Sequence, residues 1–172
     1  MTTDFQEELL TQVDRNNQVI GPIERGRAHS SPGVYYRTIY VLVLNEKNEI
    51  LLQKRSATKD LYPNCWDLSV GGHVVYGDSY EETAFRELGE ELGITPSLED
   101  LVDKGEILVK LPNSNEYFRV FEYILKSSDF IQPSNEEISE IKWMGITEIK
   151  NSMKRETLRW YARPIQIINS LH

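Results

Sequence analysis

The stretch Gly71–Ile94, GGHVVYGDSYEETAFRELGEELGI, sets a glycine-rich loop directly ahead of a short helix crowded with glutamates. Both ends of that helix are legible. Ser79 followed by Glu82 has the spacing of a capping box, and Gly93 supplies a left-handed stop. At about 100° per residue, Phe85, Leu88 and Leu92 fall on one side and Glu87, Glu90 and Glu91 on another. The apolar side needs a core to lie against, so the rest of the chain must provide a sheet or a second helix for it.

The acidic side is harder to place. Between Ser79 and Leu92 stand Glu81, Glu82, Glu87, Glu90 and Glu91, answered only by Arg86. Arg86 is spaced to pair with Glu82 and Glu90, which leaves Glu87 and Glu91 on adjacent turns with no local counter-charge. Two readings stand: a solvated face, or a site where a cation sits between like charges. Carboxylate oxygens converging on one point suit Mg²⁺ or Mn²⁺. Glycines before a helix N-terminus also make an anion cradle, because unpaired N–H groups and the helix dipole favour phosphate there.

This stretch resembles the signature of the Nudix hydrolases. The signature has a glycine, five residues, a glutamate, seven residues, then Arg-Glu, an aliphatic residue, any residue, Glu-Glu, any residue, Gly and an aliphatic residue. Here it reads Gly72, Asp78, then Arg86-Glu87-Leu88-Gly89-Glu90-Glu91-Leu92-Gly93-Ile94, with Asp78 in place of the first glutamate. The resemblance implies an α/β/α sandwich with a mixed sheet. It also implies metal-dependent hydrolysis of a diphosphate linkage, in a nucleoside diphosphate joined to another group. Glu87, Glu90 and Glu91 would then bind Mg²⁺ or Mn²⁺, with the carbonyl of Gly71, and Gly72 would lie against the substrate. Asp78 would support Arg86 and the loop, with its reach shortened by one methylene.

The N-terminal part brings a rival. A hairpin ending in Val19-Ile20-Gly21, then Arg25 and His29, resembles the branch of that family containing isopentenyl-diphosphate isomerase. The isomerase's cysteine position falls on Gly71, two residues before His73, and Cys65 is six residues too early. Its second early histidine falls on Tyr36, and one of its late glutamates on Ser114, while Glu116 remains. His29 and His73 are then better read as structural histidines than as ligands. A diphosphate-binding module without catalysis is a further alternative, supported by Asp78 alone.

The remaining chain fits one domain spanning residues 1–172. A hairpin is expected from Glu8–Val13 and Gln18–Ile23, turned by Asp14-Arg15-Asn16-Asn17 and kept to a sheet edge by Pro22, with a short helix over Ile23–His29. That edge could be covered, or could pair with a second copy in a homodimer. Tyr36–Leu44 reads as a strand buried on both faces, turning through Glu46-Lys47-Asn48 into Ile50–Lys54. Arg55 and Lys59 follow, either as surface charge or as groups that meet substrate phosphate. Strands are expected at Leu101–Lys110, Tyr117–Leu125 and Ile141–Met144, with a helix over Ile146–Met153 and a terminal helix from Glu156 bent at Pro164. Trp160 and Tyr161 read as packing residues. The resemblance implies a late carboxylate from the acidic stretch Asn135–Glu140, Glu136 or Glu137, acting as metal ligand or base. Trp66, Tyr62, Tyr117 and Phe118 could stack a base, though each is more often core.

A net charge of −8 argues against nucleic acid polymers and anionic membranes as partners, and the sequence has no apolar run long enough to span a bilayer. Met1–Asp14 lacks a signal-peptide pattern, and the lone Cys65 suits a reducing compartment, so a cytoplasmic location is expected. The partner expected is a small-molecule diphosphate.

Overall fold

The computed structural model describes residues 5–171; residues 1–4 and 172 of the expected domain lie outside the described residues. The chain runs through β1 (Leu9–Val13), β2 (Val19–Glu24), α1 (Arg25–Ser30), β3 (Tyr35–Leu44), β4 (Glu49–Arg55), β5 (Trp66–Leu68) and β6 (Val70–His73). There follow α2 (Tyr80–Leu92), β7 (Leu101–Lys110), β8 (Asn115–Ile124), β9 (Ile138–Gly145), α3 (Ile146–Arg155) and α4 (Ala162–Ser170).

Everything is hung on β3. One edge carries β1 and, further along, antiparallel β6; the other pairs in parallel with β8 over its whole length, from Tyr35↔Asn115 to Leu44↔Ile124. A tight turn then leads to β4, which is flanked by β5 and β9. Asn48 takes a left-handed φ of 57° in that turn, and Asn45 Oδ1 accepts hydrogen bonds from the Lys47 and Glu49 N–H groups. The sheet is therefore mixed, as expected.

Strand side chains alternate between faces, and in β3 this divides the interior into two cores. Ile39, Val41 and Val43 pack with Leu88 and Leu92 of α2, whereas Tyr40 and Leu42 pack with Ile149 of α3 and Ile167 and Ile168 of α4. Each of these fully buried aliphatic side chains stabilises the fold by about 1.5–3 kcal/mol relative to exposure. The result is helix, sheet, helix. Leu10, Ile23, Ala28 and Tyr36 form a smaller core beneath the hairpin, whose outer strand β2 exposes Val19 and Ile20.

Several expectations are corrected. Phe85 is only half-buried and lies outside the core, and Ala84 takes its place under α2. The last helix starts at Ala162, not Glu156. Glu156 has φ +52° and caps α3, so residues 156–161 leave the helical path. Pro164 does not bend α4: it is the third helical residue, where its missing N–H would have no intrahelical partner. β9 begins at Ile138 and takes in the end of the stretch expected to be an acidic loop.

Candidate active site

The helix α2 is held at both ends by its own sequence. Ser79 Oγ accepts from the Glu82 N–H (3.1 Å), while the Glu82 carboxylate accepts from the Ser79 N–H (2.8 Å). At the other end Gly93 has φ +69° and donates to the Gly89 carbonyl. The helix is thus fixed against β6, and the two glycines there are required by space. A Cβ on Gly72 would stand 2.2 Å from Glu87 Oε1, and one on Gly71 would stand 2.8 Å from the Tyr40 ring.

A cleft of about 340 Å³ opens at this junction. It is lined by Gly71, Gly72, Arg86, Glu87, Glu90 and Glu91, together with Arg55 at the end of β4 and Lys59, Glu136 and Glu137 from two loops. Those distant segments are stitched to α2 through the backbone: the Ser134 N–H donates to Glu91 O and the Ser56 N–H to Glu137 O. Asp78 is not among the lining residues.

Of the two pairs its spacing suggested, Arg86 makes the one with Glu90 but not the one with Glu82. Its Nη1 donates to Glu87 Oε1 (2.9 Å) and Glu90 Oε2 (3.3 Å), and Nη2 to the His73 carbonyl (3.3 Å). Glu82 is spent on the cap. Asp78 Oδ2 lies 4.0 Å from Arg86 Nε, at the limit of an ion pair, in keeping with the lost methylene.

The carboxylates are poised unequally. Burial pushes the Glu87 carboxyl up to about 7, against the pull of Arg86. Glu91 is raised well above the usual carboxylate range, first by burial and then by repulsion from Glu87, while a 2.6 Å hydrogen bond from Gln53 opposes the shift. Glu90 is largely exposed. Glu136 is exposed, and Glu137 accepts from Lys59 Nζ at 2.6 Å. Arg55 is turned inward, donating to the Leu61 carbonyl and standing 3.6 Å from Asp67.

Among the described residues no three His, Cys, Asp or Glu side chains already converge as a metal-binding group. Arg86, Gln53 and Lys59 each hold one oxygen of Glu87, Glu91 and Glu137 respectively. The donor chemistry still fits a hard divalent cation: crowded carboxylate oxygens, two of them on carboxyls that burial and mutual repulsion make costly to ionise.

Sequence reasoning missed Asp67 and Arg163 on the floor of the cleft and named Glu116 only as a glutamate retained from the isomerase set. Asp67 is buried and accepts from the Tyr40 and Tyr161 hydroxyls and the Leu68 N–H. Glu116, fully buried, accepts from Arg163 Nε (2.5 Å) and Nη2 (2.6 Å), the Tyr36 hydroxyl (2.7 Å) and Ser114 Oγ (2.9 Å). Burial works to raise Glu116, but the Arg163 charge and these donors hold it below the usual range. His29 and His73 face one another, Nε2 to Nε2, at 3.0 Å. Desolvation pushes His29 down to about 4 and His73 well below its ordinary value, so the pair is neutral near pH 7. Of the aromatics weighed for stacking, Phe118 lines the cleft, whereas Trp66, Tyr62 and Tyr117 do not. Cys65 is buried and also outside it.

The family model for the NUDIX domain matches residues 34–164, which include the glycine strand, α2 and the late carboxylates. The chain belongs to the Nudix family. A Nudix hydrolase of Pseudomonas aeruginosa, itself uncharacterised, is 32% identical over 137 residues, covering 80% of this chain and 78% of that protein. An isopentenyl-diphosphate Δ-isomerase of Streptomyces avermitilis is 31% identical over 147 residues, covering 82% and 73%. The crystal structure of the Deinococcus radiodurans protein DR0079 has the same fold, with a TM-score of 0.78 and 23% identity over 96% of this chain and 99% of that one. The protein is a Nudix hydrolase with the family's mixed sheet and flanking helices. No helix among the described residues is long and apolar enough to cross a membrane.

Proposed function

We propose that this Nudix enzyme catalyses the divalent-metal-dependent hydrolysis of a diphosphate linkage, in a nucleoside diphosphate joined to another group. The observation that carries the reading is the pair Glu87 and Glu91. These two carboxyls stand one helical turn apart, both line the cleft, and both are raised by burial. A bound cation would relieve what burial and repulsion now oppose. Mg²⁺ or Mn²⁺ would be held by Glu87, Glu90 and Glu91 with the Gly71 carbonyl. When bound, such an ion offsets phosphate charge and makes a water easier to deprotonate.

The charge count around the cleft supports this. Eight carboxylate residues line it against five Lys and Arg residues. An anionic diphosphate entering so acidic a cleft needs added positive charge.

The protein's own share is positioning and electrostatics. Arg86, fixed by Glu87, Glu90 and the His73 carbonyl, keeps the glutamates in register. Gly72 lines the cleft, and its missing side chain lets Glu87 lie against the strand. Arg55 and Lys59 bring cationic charge to the lining of the cleft. Glu137, with 32% of its side chain exposed, would complete the cation's ligands or take the proton of the attacking water.

The isomerase reading has less behind it. The thiol position is Gly71, Cys65 is buried elsewhere, and Glu116 is already neutralised by Arg163.

The test is release of phosphate or nucleoside monophosphate across a panel of diphosphate compounds, with Mg²⁺, Mn²⁺ or chelator. Metal-dependent release is expected, and Glu91→Gln should lower turnover by orders of magnitude while the protein stays folded. Full activity in that variant would sink the assignment. A folded protein that binds diphosphates but cleaves none would instead be a binding module, with Asp78→Glu the first reversion to make.

A further inference from the structure

We propose that Lys59 holds the place of a divalent cation at Glu137 in the ligand-free protein, and that metal entry displaces its ammonium. The inference rests on the metal-dependent reading above and assigns Lys59 a part in regulating that same site.

The geometry is unusual for a lysine. Its Nζ lies 2.6 Å from Glu137 Oε2, and only 9% of its side chain is exposed. A lysine ordinarily keeps its ammonium in water and its rotamers free, so drawing it into a cleft and ordering it both cost free energy. Here that cost is met at a carboxylate in the same cleft as Glu87 and Glu91.

The backbone explains why the ammonium stays there. The Ser56 N–H donates to Glu137 O and the Lys59 N–H to Ser56 O, which ties the lysine loop to the carboxylate loop. The Ser134 N–H donates to Glu91 O, which ties the carboxylate loop to α2. Lys59, Glu137 and Glu91 are therefore neighbours by construction.

The cations of the cleft differ in how firmly they are kept. Arg86 is a planar fork with three partners from two elements. Lys59 is a point charge on a flexible four-carbon stem, so its bond to Glu137 has no bidentate geometry to hold it. The divalent ion must compete with it for Glu137, so the ammonium sets the metal concentration at which the site fills.

The experiment is a Mn²⁺ titration of the full chain without substrate, following free Mn²⁺ by electron paramagnetic resonance, with thermal melts to establish folding. Lys59→Met keeps the length of the side chain and removes the competitor, so Mn²⁺ should bind about tenfold more tightly. Lys59→Arg restores a cation and should return the affinity toward wild type. Unchanged or weaker binding in folded Lys59→Met, while the wild type binds Mn²⁺, overturns the placeholder and leaves the hydrolase reading intact. A folded wild type that takes up no Mn²⁺ at millimolar concentration overturns both.

Discussion

Glu87 occupies the volume that a side chain on Gly72 would need: a Cβ at residue 72 would lie 2.2 Å from Glu87 Oε1 and 2.4 Å from its Cγ. The contact is between a strand and a helix, and it seats the Glu87 side chain against β6 where it lines the cleft.

Gly72→Ala should therefore act on catalysis more than on stability. Glu87 must move by an ångström or more, and a displacement of that size at a reacting centre costs on the order of 10²-fold in turnover. The carboxyl can swing toward the open cleft, so the melting temperature should fall by only a few degrees. Steady-state kinetics beside a thermal melt separates the two effects, and near-normal turnover would show that Glu87 is not used where it stands.

Two buried groups should give pH dependences of opposite sign. His29 has its folded value depressed to about 4 from an ordinary value near 6.5, so the stability tied to its neutral form is complete above 6.5 and is lost as pH falls toward 4. Glu87 is raised to about 7 from 4.5, so its contribution is complete below 4.5 and is lost as pH rises through 7. Denaturant melts in chelator should show His29→Gln gaining on wild type as pH falls through that range, by up to roughly 3 kcal/mol. Glu87→Gln should gain on wild type as pH rises instead. Parallel curves for either variant would place its titrating group outside the fold's energetics.

Arg163 and Glu116 make the third case. Both are buried, joined by two hydrogen bonds at 2.5 and 2.6 Å. Arg163→Met leaves a buried carboxylate without its cation and should cost about 3–5 kcal/mol. Adding Glu116→Gln should return most of that loss, because the remaining amide is neutral and the Tyr36 and Ser114 hydroxyls can reorient toward it. Urea melts of the two single variants and the double variant measure the coupling, and additive losses would contradict it.

Much of this was legible in the chain. Ser79, Glu82 and Gly93 announced the ends of α2 because capping is a local interaction, settled within four residues. The near-continuous apolar run of Tyr36–Leu44 announced a strand covered on both faces. Glu87, Glu90 and Glu91 were legible from their spacing on one helix. What escaped was set by pairing across long stretches of chain. Arg86 turned to Glu87 and the His73 carbonyl because Glu82 was already committed to the cap and β6 lay within reach. Arg163 had no local signal, since its partner is 47 residues earlier. Two hints were present all the same: Asp67 stands between Trp66 and Leu68, Gln53 directly follows Ile50-Leu51-Leu52, and a polar group in a buried strand must find a partner.

The separation of Glu116 from Arg163 also has a temporal side. A ribosome that has just added Glu116 must add 47 more residues before its counter-ion exists, several seconds at about 5–20 residues per second. During that interval β8 can pair with β3, but the acid at its start has no guanidinium to receive it. The wall of the cleft that Arg163 closes thus sets late, along with the core that Ile167 and Ile168 of the same helix complete, whatever the order in which the strands assemble.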